Sequence, residues 1–349
     1  MSEIASNQTA VPRTLKQALD PAWLTSALHV LGRGAIVSVE CVEVIRTVAT
    51  KVRFTVRFAG DETPLHLCLK GLLDVDAMTA RGGATCVREA DFYGQLADRI
   101  AIRVPQCIAH VVDREAMQAV IIMHDLIAEG ARFCSALEPF SASDAASSLG
   151  QIARLHQASG LLETTPWITR RIDDLAEARY VTVPQLQEML DGPRGQGLPA
   201  EVRDAQRLVT GLRSLAARDA QRPQFLVHGD AHAGNLFVQG GQHGLIDWQL
   251  LQRGNWALDV AYHVAAVLPV EVAEREERAL LDHYLAEAGA LGCAMPDRDA
   301  AWRQYRESVL YGFYLWGITR RVDPPIINLF VQRLGSAVAR HGSHALLGV

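Results

Sequence analysis

The stretch that most limits what this chain can fold into is Phe-Leu-Val-His-Gly-Asp-Ala-His-Ala-Gly-Asn-Leu-Phe-Val-Gln at 225–239, with Gly-Leu-Ile-Asp-Trp at 244–248. Apolar runs at 225–227 and 236–238 flank a polar turn holding His228, Asp230, His232 and Asn235; a third short run delivers Asp247. The pattern reads as strand, polar loop, strand, turn, strand, acid. It gathers carboxylates, an amide and imidazoles at strand ends, where sites are usually built. A purely structural turn needs Gly, Asn or Asp, but not four further groups able to bind metal or carry protons.

At 349 residues and 49% hydrophobic, the chain can bury a large core and has length for two lobes. A formal net charge of −5 offers no broad basic field to nucleic acid and no basic arm to an anionic membrane. No apolar run reaches the roughly 18 uncharged residues of a membrane span. Residues 1–10 lack the basic-then-apolar order of a signal peptide. The six cysteines are scattered without a Cys-x-x-Cys pair, as expected of reduced thiols in a cytoplasmic protein rather than of zinc or disulfides.

The element order narrows the fold class. Asp20-Pro21 opens a helix to about residue 31, stopped by Gly32-Arg-Gly34. Strand texture at 37–45, 51–58 and 65–72, with a Gly60-Asp61 turn, predicts an antiparallel meander. A polar, glycine-containing loop at 74–84 leads into a helix at about 85–100 with Val87, Phe92 and Leu96 on its apolar face. Strands at 107–112 and 118–123 follow, joined at Asp113-Arg-Glu115. Ser141 or Ser143 caps a helix through 156, and helical patterns recur at 173–179, 183–190, 201–217, 256–267, 270–288, 297–318 and 326–341, with 193–199 as a loop. The expectation is α+β: a small sheet with one helix at 1–124, a connector at 125–130, and a helical lobe at 131–349. It is not the βαβ alternation of a dinucleotide fold.

Within the opening stretch, Asp230 and Asn235 lie five apart and Asp247 follows. In-line phosphoryl transfer needs a carboxylate to take or orient the attacking hydroxyl's proton, and oxygen ligands for the magnesium on the phosphates. Asp230 suits the first task; Asn235 and Asp247 are hard oxygen ligands suited to Mg²⁺. The protein-kinase pattern of His-Arg-Asp, four residues, Asn, then a metal-binding Asp has the same order and interval. A metallohydrolase reading of His228, Asp230 and His232 also exists, although Gly229 and Gly234 suit a tight turn better than a preformed cage. Lys70 is one of only three lysines, and it ends the apolar run 65–70. A lysine there is costly unless paired, and Glu89, early on the next helix, is the candidate partner. Such a pair would place a point charge on nucleotide phosphates.

Together, His228-Gly-Asp-Ala-His-Ala-Gly-Asn235, Ile246-Asp-Trp248 and Asp259 in Gly254-Asn-Trp-Ala-Leu-Asp-Val-Ala261 resemble the aminoglycoside phosphotransferase/choline kinase superfamily, whose fold is protein-kinase-like. Arg88-Glu-Ala-Asp-Phe-Tyr93, Ile102-Arg-Val-Pro105 and the Gln249 to Arg253-Gly254 spacing are similar to the ecdysteroid-kinase-like small-molecule kinases. The resemblance covers about 37–283. It implies Asp230 as catalytic base, Asn235 and Asp247 as Mg²⁺ ligands, and Lys70 with Glu89 as the phosphate-anchoring pair. It also implies adenine bonded to backbone near Met123, Asp125 and Leu126, Asp259 bracing the catalytic loop, and His232 orienting it.

One departure stands out. The loop at 46–50, where a phosphate-covering turn is expected, has no glycine, and glycine lets backbone amides approach phosphates closely. The hydroxyls of Thr47 and Thr50 are the candidate substitutes. Aromatic residues crowd the helix expected at 297–318, and Trp248, Tyr311 and Trp316, with His232, are candidate contacts for the acceptor. An aromatic wall would favour an apolar, ring-bearing alcohol over a polycationic aminoglycoside. The expected activity is transfer of a phosphoryl group from ATP or GTP, with Mg²⁺, to a hydroxyl of a small molecule. A catalytically silent, kinase-like binding protein is the alternative, and a protein kinase is disfavoured because no activation segment follows Asp247.

Overall fold

The computed structural model describes residues 10–47, 49–80 and 82–349. Readings that fall on residues 1–9, on Val48 in the 46–50 loop and on Arg81 in the 74–84 loop lie outside the described residues. The chain divides into two compact units, the first running to Asp98 and resuming from Val104 to Arg132, the second comprising Arg99–Arg103 and Phe133–Val349. The division falls beyond the expected connector at 125–130, and the short excursion at 99–103 has no counterpart in the sequence reading. Its cause is local bonding within the second unit: the Arg103 N–H donates to Gln151, and its carbonyl accepts from the Leu245 N–H.

The first unit opens with two short helices, α1 (Leu15–Ala18) and α2 (Pro21–Ala27), which Gly32 ends in a left-handed turn after one further 3₁₀ turn. A five-stranded sheet of order β1-β2-β3-β5-β4 follows, built from β1 (Ile36–Arg46), β2 (Thr50–Phe58), β3 (Asp61–Gly71), β4 (Cys107–Asp113) and β5 (Gln118–His124). Every neighbouring pair is antiparallel. Side chains alternate across a strand, and the register uses this. Val52 faces Leu69 and Phe54 faces Leu67 across β2 and β3, and all four share one core with Leu24 and Ala27 of α2 and with Leu28, which caps it. Lys70, one residue out of phase with Leu69, therefore points to the other face. There α4 (Gly83–Gln95) carries Glu89; the expected 74–84 loop contains the short helix α3 (Ala77–Ala80).

In the second unit, a two-residue strand β6 (Arg132–Phe133) spans the division, and α5 (Ala142–Gln157) follows, capped by Ser141 in a reciprocal box with Asp144. Then come α6 (Arg171–Ala176), α7 (Val183–Asp191), α8 (Ala200–Arg203) and α9 (Ala205–Asp219). The single helix expected at 201–217 is broken because Asp204 caps α9, accepting the Arg207 N–H at 2.8 Å. Four short strands come next: β7 (Phe225–Val227), β8 (Leu236–Gln239), β9 (Gln242–Leu245) and β10 (Gln252–Gly254). β7 pairs with β10 and β8 with β9, both antiparallel. The chain ends with α10 (Ala257–Val267), α11 (Val270–Ala290), α12 (Arg298–Ile318), α13 (Pro324–His341) and α14 (Ser343–Leu346). All residues of α10 are buried, as befits a helix apolar nearly all round; its few polar side chains must therefore find partners inside. Among the described residues no helix is long and apolar enough to cross a membrane.

Candidate active site

The loop between β7 and β8 rests on one face of α10. Asp259, Tyr262 and His263 are spaced i, i+3 and i+4, so they project side by side. Asp259 accepts the N–H groups of His228 at 2.7 Å and Gly229 at 2.8 Å. The Tyr262 hydroxyl donates to Asp230 Oδ1 at 2.9 Å, and His263 Nδ1 meets the Ala231 carbonyl at 2.6 Å. Four successive loop residues are thus fixed by three side chains of one buried helix.

The electrostatics suit that task. Burial alone would raise the Asp259 carboxyl, but the hydrogen bond from His156 Nε2 at 3.3 Å and the Gly229 amide outweigh it and hold the group below its usual range. His156 is itself held by the Tyr284 hydroxyl at 2.7 Å. Burial pushes His263 down to about 4, so it is neutral and donates through Nδ1 while Nε2 meets the Ser148 hydroxyl at 2.8 Å. Burial, and after it the Asp230 charge, raise the Tyr262 phenol well above its ordinary value; it stays a donor.

Both nitrogens of His228 are occupied. Nδ1 accepts the Asp230 N–H at 3.2 Å and Nε2 donates to the Ile246 carbonyl at 3.0 Å, with the ring tilted against Trp248. His232 accepts the Gly234 N–H through Nδ1 at 3.0 Å, which leaves Nε2 3.7 Å from Asp230 Oδ2. Among the described residues no group of three His, Cys, Asp or Glu side chains is placed to hold a metal ion.

Asn235 and Asp247 form a different arrangement. The Asn235 amide nitrogen donates to the Asp230 carbonyl at 2.9 Å and to Asp230 Oδ2 at 3.2 Å, so its oxygen is turned the other way. The Ile246 N–H donates to the Asn235 carbonyl at 3.0 Å, extending the β8–β9 ladder and setting Asn235 and Asp247 at the same end of that hairpin. Asp247 is left-handed at φ 66, a conformation that costs a non-glycine residue energy and tends to persist where function requires it. An amide oxygen and a carboxylate at one strand end, both hard donors, fit Mg²⁺, which takes few protein ligands and keeps water.

Gly229 has a stricter reason to be glycine. Its φ is +80, and a Cβ there would lie 2.5 Å from the Leu250 carbonyl. The left-handed backbone alone costs an L side chain about 1–2 kcal/mol, and the backbone collision adds to it. Gly229→Ala is therefore expected to lower the melting temperature and turnover together in a thermal-denaturation and activity comparison; a variant with unchanged melting would show that the turn tolerates a side chain.

In the first unit Lys70 Nζ lies 2.9 and 2.7 Å from the two Glu89 oxygens, with both side chains nearly fully buried. Thr47 and Thr50 are less available than expected. The Thr47 hydroxyl donates to the Ala49 carbonyl at 3.0 Å and the Thr50 hydroxyl, inside β2, to the Leu73 carbonyl at 3.0 Å. Met123 and Leu126 are buried, and the Leu126 carbonyl accepts from Ala131. Asp125 has its N–H on His66, its carbonyl on Glu129, and its carboxylate on Arg53 at 3.0 Å.

The aromatic wall needs correction. Trp248 and Tyr311 have no exposed surface. Tyr311 donates to the Gly229 carbonyl at 2.8 Å and accepts from Gln252 at 2.7 Å, so it braces the loop instead of facing an acceptor. Trp316 is 4% exposed, packs against His232 and Phe330, and donates its N–H to Tyr262 at 2.7 Å.

The model of a phosphotransferase enzyme family matches residues 53–306. The chain belongs to the phosphotransferase enzyme family. Among curated proteins no sequence gives a significant match. Solved structures similar to this phosphotransferase include the Plasmodium vivax ethanolamine kinase, at 13% identity and TM-score 0.51, covering 90% of this chain and 86% of that one. Choline kinase from Cryptosporidium parvum follows at 12% identity and TM-score 0.50, covering 96% and 93%. At these identities the likeness is one of fold: an antiparallel-sheet unit and a mostly helical unit of the kinase-like type. The sequence reading of this phosphotransferase missed Tyr262, His263, His156 and Gln252 as supports of its loop. The first two could have been found: they stand at i+3 and i+4 from Asp259 on a predicted helix.

Proposed function

We propose that this phosphotransferase moves the γ-phosphoryl group of ATP or GTP, with Mg²⁺, onto a hydroxyl of a small organic molecule. The observation that carries the reading is Asp230. Its carboxylate is bonded by Tyr262 and Asn235, which are both buried, yet 26% of its own side chain is exposed. A fixed, accessible carboxylate is what a positioned base requires. The acceptor oxygen attacks the γ-phosphorus, the bond to the β–γ bridging oxygen breaks to release the nucleoside diphosphate, and the hydroxyl proton goes to Asp230. Asn235 and Asp247 would hold Mg²⁺, which when bound neutralises charge on the phosphates. Within the first unit, Lys70 fixed by Glu89 is the candidate phosphate anchor and the backbone near 123–126 the candidate contact for a nucleotide base.

The acceptor is a small alcohol in this reading. Ethanolamine and choline, named in the similar structures, are small alcohols and are first candidates. With Trp248 and Tyr311 in the core, the case for a ring-bearing acceptor weakens. Two measurements test the proposal. Melting temperature should rise with ATP or GTP only when Mg²⁺ is present. ADP or GDP release should rise with at least one of ethanolamine, choline, a ring-bearing alcohol or an aminoglycoside, with the phosphate ester recovered. No Mg²⁺-dependent stabilisation by either nucleotide would overturn the reading and favour a silent binding protein.

A further inference from the structure

Asp230 has two carboxylate oxygens, and their surroundings differ. Oδ1 accepts the Tyr262 hydroxyl at 2.9 Å; Oδ2 has the Asn235 amide at 3.2 Å and His232 Nε2 at 3.7 Å. The Tyr262 hydroxyl is in turn approached by the Trp316 indole N–H at 2.7 Å. An indole N–H only donates, so the Tyr262 oxygen accepts from Trp316 and its own proton has one direction left, toward Asp230 Oδ1. A chain of hydrogen bonds running one way polarises each member.

The ring of Tyr262 is locked as well as the hydroxyl. It is fully buried and edge-on to Tyr311. On α12 it meets Gly312, where an added Cβ would lie 2.4 Å from the Tyr262 ring. Glycine in a helix interior costs stability relative to alanine; here it makes room for this ring. Trp316, one turn further along α12, then reaches the hydroxyl.

We propose that Tyr262, aimed by Trp316 and seated against Gly312, is a positioning residue that pins Oδ1 of Asp230 and so presents Oδ2 to the acceptor hydroxyl. Tyr262 acts through Asp230 and does not touch the substrate. The proposal rests on Asp230 being the base, and the test separates the two. The probe is Mg–ATP with water as the acceptor, read as ADP release, alongside nucleotide affinity by calorimetry and melting temperature. Tyr262→Phe keeps the ring and removes the hydroxyl; kcat should fall about 10- to 100-fold, the scale set by misplacing a reacting group, with Mg–ATP affinity unchanged. In the Asp230→Asn background the same change should cost nothing more. Tyr262→Phe with Trp316→Phe removes both ends of the bond, so melting should recover toward wild type while kcat stays low.

Wild-type kcat in Tyr262→Phe, a full further loss on top of Asp230→Asn, or kcat recovering together with melting in the double variant would each overturn the positioning role. Asp230→Asn that turns over like wild type would instead overturn the base assignment, and this proposal with it.

Discussion

Asp230→Asn is expected to lower phosphoryl transfer by about 10²–10⁴-fold, the usual contribution of a positioned general base, while Mg–nucleotide affinity stays near wild type. Asparagine is the informative replacement because it keeps the shape that Tyr262 and Asn235 hold. Its oxygen can still accept the Tyr262 hydroxyl, so no buried donor is stranded. Its amide would then face the Asn235 amide across the 3.2 Å contact, donor against donor, a local cost on the order of 1 kcal/mol. Alanine would confuse the result, since it leaves the fully buried Tyr262 hydroxyl with only a donor for company. Single-turnover transfer to whichever alcohol proves active, with nucleotide affinity measured in parallel, reads the two quantities separately. Equal losses in both would move Asp230 from proton acceptor to nucleotide ligand. Normal turnover would remove it from the chemistry altogether.

Legibility in the sequence followed the range of the interactions involved. The β1–β3 meander, the β4 and β5 strands and the helices α5, α10, α11, α12 and α13 were readable because period-two and 3.6-residue patterns are local and their caps are local too; Asp20, Asp297 and Ser141 all cap as their positions suggest. The break at Asp204 escaped because an aspartate that can cap a helix can also sit quietly inside one. The 99–103 excursion escaped because Gln151 and Leu245 bind it from far along the chain. The same division holds at the candidate site. Asp230, Asn235 and Asp247 stand out by spacing within one stretch, and Lys70 by being a lysine at the end of an apolar strand. Tyr311 and Trp248 gave the wrong impression, because aromatic composition cannot distinguish a ring that faces a ligand from one whose hydroxyl or face braces a loop. Tyr262 was legible as a loop support from its i+3 spacing to Asp259, but the aim of its hydroxyl was not, because Trp316, which donates to it, lies on α12.

Asp259→Ala is expected to be the most damaging substitution for stability in the second unit. The carboxylate has no exposed surface and accepts two backbone N–H groups as well as His156. Removing it strands three buried donors. Each buried donor left unsatisfied costs about 1–3 kcal/mol, and the loop carrying Asp230 loses its anchor at the same time. Turnover should therefore fall even at temperatures where the variant remains folded. The pH dependence provides a sharper signature. The folded-state value of Asp259 is lowered, since His156 and the Gly229 amide together outweigh the effect of burial. A lowered carboxylate contributes stability above its unfolded value, near 3.8, and loses it as pH falls through the folded value. The gap in melting temperature between wild type and Asp259→Ala should accordingly be wide near neutrality and narrow as pH drops below about 4. A gap that stays constant through the acid limb would mean that Asp259 stabilises the loop by shape alone, and that its charge is not what holds the His228 and Gly229 amides in place.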